Sequence, residues 1–184
     1  MEIKRYEEKY KEDVRFVCCN SEGPCTWSDR KKHLLLTTYC DYFIEKEGNN
    51  CFVAVDENGK AIGYILCAEN YDNFKKVFRK EYLARFKKHE IDCRLVAILS
   101  TFIQARLKKE YPAHMHIDIL PEYQRMGLGH KLVDALCENL KEKGIKGVCL
   151  TMFSGNKKGG AFYRKYGFTL LKTIFSTDIF VLKI

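Results

Sequence analysis

The sequence predicts an α/β fold, one central mixed sheet with helices packed on it. Three observations carry the prediction. Short strand-like stretches recur along the chain, at Glu2–Arg5, Cys51–Val55, Ala61–Ala68, His114–Ile119 and Ile145–Phe153. The segments between them place apolar residues at helical steps of three and four. One stretch, residues 113–143, joins both signals: His114-Met115-His116-Ile117-Asp118-Ile119 alternates polar and apolar, and a glycine turn then opens into a helix bearing Leu128, Leu132, Leu136 and Leu140.

In chain order, Glu2–Arg5 is the first strand. Residues 7–19 form a helix with Tyr10, Val14 and Val17 on one face, broken by Gly23-Pro24. Ser28 is the N-cap of the next helix, whose apolar side is Leu34, Leu35, Thr38, Tyr42 and Ile44 and which Gly48-Asn49-Asn50 ends. Cys51–Val55 and Ala61–Ala68 are strands joined by a hairpin turn with Asn58-Gly59 at its tip. Residues 71–112 read as a two-helix insertion between the third and fourth strands. The first helix carries Phe74, Val77, Phe78, Tyr82 and Phe86, and the second Leu95, Ile98, Leu99, Phe102, Ile103 and Leu107. After the central helix come a fifth strand at Ile145–Phe153, a short helix at Lys158–Tyr166, and a terminal pair over Gly167–Ser176 and Asp178–Ile184. No repeat or linker divides the chain, so residues 1–184 read as one domain.

Composition bounds the function. A chain of 184 residues that is 46% hydrophobic supports one buried core and is short for two domains. No run approaches the roughly 18 apolar residues of a membrane span, and Met1-Glu2-Ile3-Lys4-Arg5 leads into no apolar signal-peptide core. A soluble, cytoplasmic protein without a membrane partner is expected. The nine cysteines are odd in number, sit mostly in apolar stretches and include no C-x-x-C pair, so free buried thiols are expected rather than a disulfide framework or a zinc site. Formal net charge is +8, and residues 71–112 alone carry +6. Such a face can attract an acidic substrate, a phosphate-bearing cofactor or nucleic acid, or can simply be solvated. The aromatics of that segment lie at core spacing and no recognition motif accompanies the charge, which argues against nucleic acid.

Gln124-Arg125-Met126-Gly127-Leu128-Gly129, between strand and helix, has the makings of an anion site. Helix-opening N–H groups lack intrahelical acceptors, the dipole adds positive charge, and glycine lets a phosphate approach the backbone. It is neither a P-loop nor a complete Rossmann fingerprint. It does match the Q/R-x-x-G-x-G/A signature of the GCN5-related N-acetyltransferases (GNAT). A second block, Asn156-Lys157-Lys158-Gly159-Gly160-Ala161-Phe162-Tyr163-Arg164-Lys165-Tyr166-Gly167-Phe168, matches that family's later N-x(4)-A-x-Y-x-K-x-G-F pattern. The chain thus resembles a GNAT acetyltransferase over residues 113–168. Residues 111–124 also look like the acetyltransferase-like domain at the C-terminal end of O-GlcNAcases.

The resemblance implies a mostly antiparallel mixed sheet and transfer of an acetyl group from acetyl-CoA to a primary amine in a ternary complex. By resemblance, Gln124, Arg125, Met126, Gly127, Leu128, Gly129 and His130 would clamp the CoA pyrophosphate. Ile117 and Ile119 would offer backbone groups to the pantetheine arm and thioester carbonyl. Tyr163 would stand beside the sulfur as general acid, and Asn156 would touch the cofactor arm or serve only as an N-cap. Many members use a glutamate early in the motif strand, where this chain has Ala113. The base therefore falls to Asp118, with His116 second, both on the face they share with His114. H-x-H-x-D is also a conceivable metal pattern, but no fourth ligand is evident and none is assigned. Two other functions stay open: a non-catalytic acetyl-CoA-binding module and a basic nucleic-acid-binding protein. The acceptor is a small molecule or peptide amine, of acidic character if the insertion lines its site, and a homodimer is left open.

Overall fold

Ala61–Ala68 (β3) shows why the chain folds around its middle: all eight of its residues are buried. A strand covered on both faces reads as an apolar run instead of an alternation. The computed structural model describes residues 1–101 and 104–184, which form a seven-stranded sheet in the order β1-β2-β3-β4-β5-β7-β6. The other strands are β1 (Glu2–Arg5), β2 (Phe52–Val55), β4 (Ala113–Ile119), β5 (Gly147–Phe153), β6 (Thr169–Ile174) and β7 (Thr177–Lys183). Every neighbouring pair is antiparallel except β4 and β5. The sheet is the mixed, mostly antiparallel one expected.

Helices cover both faces. Leu128–Glu142 (α6) turns Leu132, Val133, Leu136 and Leu140 onto β1 to β4. The opposite face of β4, carrying His114, His116 and Asp118, lies under α1 (Lys11–Asn20) and a long helix running from Asp29 to Lys46. Ser28 caps that helix by accepting the Lys31 N–H, as its position predicted. The helix is one interrupted element: α2 (Asp29–Leu36), a π turn (Thr37–Asp41) and α3 (Tyr42–Lys46). The π turn leaves the buried Thr37 and Thr38 hydroxyls without hydrogen-bond partners among the described residues, and it sets Tyr39 edge-on to His116 at 5.0 Å between ring centroids. Such extra-residue turns often mark functional positions.

Residues 71–112 are helical, with α4 (Tyr71–Val77), a second π turn (Phe78–Tyr82) and α5 (Ile91–Ser100). Phe74, Phe78, Tyr82 and Phe86 are buried, as their spacing predicted. Leu95 and Leu99 are not: they stay 53% and 68% exposed, because α5 turns Cys93 and Ala97 inward instead. Phe102 and Ile103 lie outside the described residues. Part of the segment's charge is engaged, with Lys108 paired to Asp72 at 2.7 Å, Arg85 to Glu45 at 2.6 Å and Glu90 against His33 at 3.0 Å.

All the cysteines are unpaired, and all but Cys19 and Cys25 are buried. Burial pushes the Cys51 and Cys149 thiols up to about 12, which keeps them protonated and inert. Among the described residues no helix is long and apolar enough to cross a membrane.

Candidate active site

The site begins with a fork in the sheet. β4 and β5 pair in parallel only at Ala113 with Val148 and His114 with Cys149. β4 meanwhile pairs with β3 from His114 to Ile119, and β5 with β7 over its whole length. From Met115 onward the β5-facing edge of β4 therefore has no strand partner among the described residues. Backbone amides on such an edge can pair with an extended amide-bearing ligand as with a further strand. Ile117 and Ile119 lie on it, half-buried.

The glycine turn closes the open end of the fork. Arg125 and Gly127 adopt left-handed backbone, φ 64° and 81°, which reverses the chain into α6. The first backbone bond of the helix runs from the Lys131 N–H to the Gly127 carbonyl at 3.3 Å. The N–H groups of Met126, Gly127, Leu128, Gly129 and His130 thus have no backbone acceptor among the described residues. A Cβ on Gly127 would meet nothing within 4 Å, so the space above this turn is open. Free N–H groups, a helix dipole and open space are what a diphosphate requires.

The side chains of the turn do other work. Gln124 Nε2 donates to the Ile119 carbonyl at 2.9 Å and the Ser21 carbonyl at 3.1 Å, tying the turn to the end of β4 and to the segment after α1. Leu128 is buried in the core, Arg125 and Met126 are exposed, and His130 packs edge-on against Phe162 at 5.3 Å. Gly129 is needed for a reason the motif does not state. A Cβ there would stand 3.0 Å from the Phe162 ring of α7 (Lys157–Tyr166), so this glycine lets the two motif blocks touch. Gly129→Leu should cost about 1–3 kcal/mol by overpacking. Denaturant unfolding should also show Phe162→Ala recovering part of that loss in the double variant; strict additivity would refute the contact.

α7 brings Tyr163 to the fork. Asn156 caps the helix, its Oδ1 accepting the Gly159 N–H at 2.9 Å, which is the capping alternative for that residue. Tyr163 is buried among Phe162, Phe168 and Phe180, at ring distances of 5.2, 5.5 and 5.4 Å. Its hydroxyl takes part in no protein hydrogen bond among the described residues and is free to donate to a ligand. Burial first, and the nearby Asp118 charge second, hold its pKa above the usual phenol value.

Asp118 and His116 differ in fitness as bases. Burial pushes the Asp118 carboxyl up to about 6, against the opposing hydrogen bond from Tyr64 and the influence of the nearby Ser21 side chain; Glu22 pushes it further the same way. Burial pushes His116 down to about 4, and its ring sits against Tyr39 and Phe43. His114, enclosed by Phe74 and Phe43, falls to about 3 and leaves Nδ1 without a hydrogen-bond partner among the described residues. Near neutral pH both imidazoles are uncharged, and Asp118 is the stronger base of the three. A carboxyl raised above its unfolded value stabilises the fold fully below about 3.8 and loses that contribution as pH rises through about 6. The ionised form is thus a cost to stability, as is common for groups placed for chemistry.

Tyr64, Ser21, Glu22 and Tyr39 escaped the sequence reading. Their partners lie on β4, and nothing local announces the pairing. Away from the fork, a recess of about 640 Å³ lined by Glu69, Lys109, Lys143 and Lys146 sits at the start of β4; it includes none of Asp118, His116 or Tyr163. Among the described residues no cluster of three or more His, Cys, Asp or Glu side chains has metal-binding geometry.

Comparison with known proteins agrees with this geometry. The family model described as Acetyltransferase (GNAT) family matches residues 17–168. The solved structure of SsHAT superposes with a TM-score of 0.85 at 23% identity, covering 99% of this chain and 97% of that one. A polyamine N-acetyltransferase of Drosophila melanogaster, which forms N-acetylagmatine, gives 0.65 at 14% identity, covering 100% and 99%. PaiA N-acetyltransferase from Thermoplasma acidophilum, solved with coenzyme A, gives 0.62 at 19%, covering 100% and 98%. The fork, the open glycine turn and the family match across most of its length place the chain in the acetyltransferase (GNAT) family, as an N-acetyltransferase with acetyl-CoA as donor.

Proposed function

We propose that residues 1–184 act as one acetyltransferase domain that acetylates the primary amine of a small cationic acceptor, by direct attack with donor and acceptor bound together. The observation that carries the proposal is that β4, which bears Asp118, parts from β5 after His114 and leads into a glycine turn whose N–H groups have no backbone acceptor among the described residues. Acetyl-CoA supplies the activated acetyl group. The N–H groups of Met126 to His130 hold the diphosphate, and Gln124 and Asn156 shape the two loops that flank it. Backbone groups of Ile117 and Ile119 align the arm, and one N–H directed at the thioester oxygen would be worth about 10²–10³ in rate.

Asp118 receives the amine proton, directly or through one water. An alkyl ammonium has a pKa of about 10.4, so an unaided acceptor is mostly unreactive near neutral pH. Tyr163 gives its phenolic proton to the departing thiolate; with its pKa raised, it stays protonated throughout the working range. His116, neutral and packed on aromatic rings, orients the acceptor and does not take its proton.

The net charge of the insertion suggested an acidic acceptor. The groups beside Asp118 favour the reverse, because Glu22 adds negative charge there and both nearby histidines are neutral. The insertion reaches this face through Tyr39, whose hydroxyl donates to Ser100 Oγ at 3.1 Å, and through Phe74 on His114. Lys76, Arg79 and Lys80 are exposed to solvent. The polyamine acetyltransferase among the structural neighbours points to the same substrate class.

Release of CoA from acetyl-CoA, followed with a panel of diamines, guanidino-amines, amino acids and peptides, tests the proposal. Cationic diamines and guanidino-amines should have the highest kcat/KM, and charge reversal at Lys76, Arg79 and Lys80 should leave their KM unchanged. Preference for acidic peptides would overturn the acceptor assignment. Acetyl-CoA binding with no amine-dependent CoA release would make the chain a binding module.

A further inference from the structure

Asp118 does not stand alone on its strand. Directly opposite it in the antiparallel β3–β4 register is Tyr64, whose hydroxyl donates to Asp118 Oδ2 at 2.5 Å. Tyr64 is completely buried. This is the single hydrogen bond the hydroxyl makes among the described residues. A phenylalanine would fill the same space, so the hydroxyl is what needs explaining.

We propose that Tyr64 is a positioning residue for the acetyl transfer, holding Oδ2 of Asp118 so that Oδ1 faces the acceptor and takes its proton. The inference rests on Asp118 being the base. In the step itself one amine N–H bond breaks and an O–H bond forms at Oδ1, the electron pair left on nitrogen attacking the thioester carbonyl. Tyr64 keeps its own proton throughout, because burial and the adjacent carboxylate hold its pKa well above the ordinary phenol value.

The arrangement solves a specific conflict. A carboxylate sunk into the sheet face loses hydration and drifts towards the neutral form, which cannot accept a proton. A buried phenol donor favours the ionised form and offsets part of that drift. The other titratable or polar groups around this pair are Ser21 and Glu22 after α1, Tyr163 from α7, His116 two residues along β4, and Cys18 of α1 and Cys40 of the π turn, whose charges would act on Tyr64. Of these, Tyr64 and Ser21 pull the carboxyl towards ionisation and Glu22 pushes it away. Tyr64 is therefore expected to set the lower pH limit of activity.

The test is the pH profile of kcat/KM for Tyr64→Phe and Asp118→Asn beside the wild type, with a diamine acceptor. The wild type should lose activity through an acid limb centred at about 6. In Tyr64→Phe the limb should move up by about one pH unit, so that activity falls about tenfold on the acid side and less on the plateau. Asp118→Asn should remove the limb. A Tyr64→Phe limb superposed on the wild-type one, with the limb absent in Asp118→Asn, overturns the role of Tyr64 and leaves Asp118 as base. A limb retained in Asp118→Asn overturns both assignments. Carbon-13 titration of the Asp118 carboxyl in the wild type and in Tyr64→Phe reads the same shift without turnover, so an inactive variant still decides the matter.

Discussion

Gly127→Glu is expected to weaken acetyl-CoA binding about 10²-fold, read by calorimetry on the free enzyme. Two effects are involved. Loss of hydrogen bonds to a charged ligand, about 1.5–3 kcal/mol at 1.4 kcal/mol per factor of ten, sets the size of the binding loss, while the strain of a left-handed residue with a side chain, about 1–2 kcal/mol, falls on free and bound protein alike and mainly lowers stability. Gly127→Ala separates them. An added Cβ meets nothing within 4 Å at this position, so alanine carries the backbone strain alone. It should weaken binding by less than tenfold, and glutamate should account for the rest by setting a carboxylate against the diphosphate. Equal affinities for the glutamate variant and the wild type would mean that the donor binds elsewhere.

Tyr163→Phe is expected to lower kcat about 10²-fold and leave acetyl-CoA affinity nearly unchanged. The ring makes its contacts with Phe162, Phe168 and Phe180 through carbon, so removing one oxygen keeps the packing. What disappears is the donor for the thiolate, and solvent water can replace it only poorly in a buried position. Thioesters with more acidic thiols need less help as they leave, so the deficit should shrink for an aryl thioester donor. Undiminished turnover of acetyl-CoA would reduce Tyr163 to a packing residue. The raised pKa adds a second check. Ionisation of Tyr163 should produce no basic limb of kcat below the ordinary phenol value of about 10.

Both variants probe features that are local in the chain, and those were the legible ones. The turn from Gln124 to Gly129 announces itself because a strand, an αL glycine and a helix start are fixed by a few consecutive residues. The same holds for Asn156 and Ser28 as caps, for Asn58-Gly59 at its hairpin, and for the apolar stripe of α6. Strand and helix boundaries followed within a few residues for the same reason. The exposed Leu95 and Leu99 show the limit: their spacing says which residues share a face of α5, but not whether anything covers that face.

By itself the sequence determined the sheet-and-helix alternation and the places of the glycine turn and of the Tyr163 block. These depend on backbone conformation and hydrophobic period, which neighbours in the chain set. Tertiary structure alone decided which of Asp118 and His116 is the stronger base, because burial moves one pKa up and the other down. It also decided that Gly129 makes room for Phe162 and that β4 parts from β5 after His114. Tyr64 meeting Asp118 belongs to the same group. Those two residues are separated by more than fifty positions, the insertion among them, and a single-residue slip in register would turn either side chain to the other face of the sheet. No local signal specifies that register; the packing of both sheet faces does.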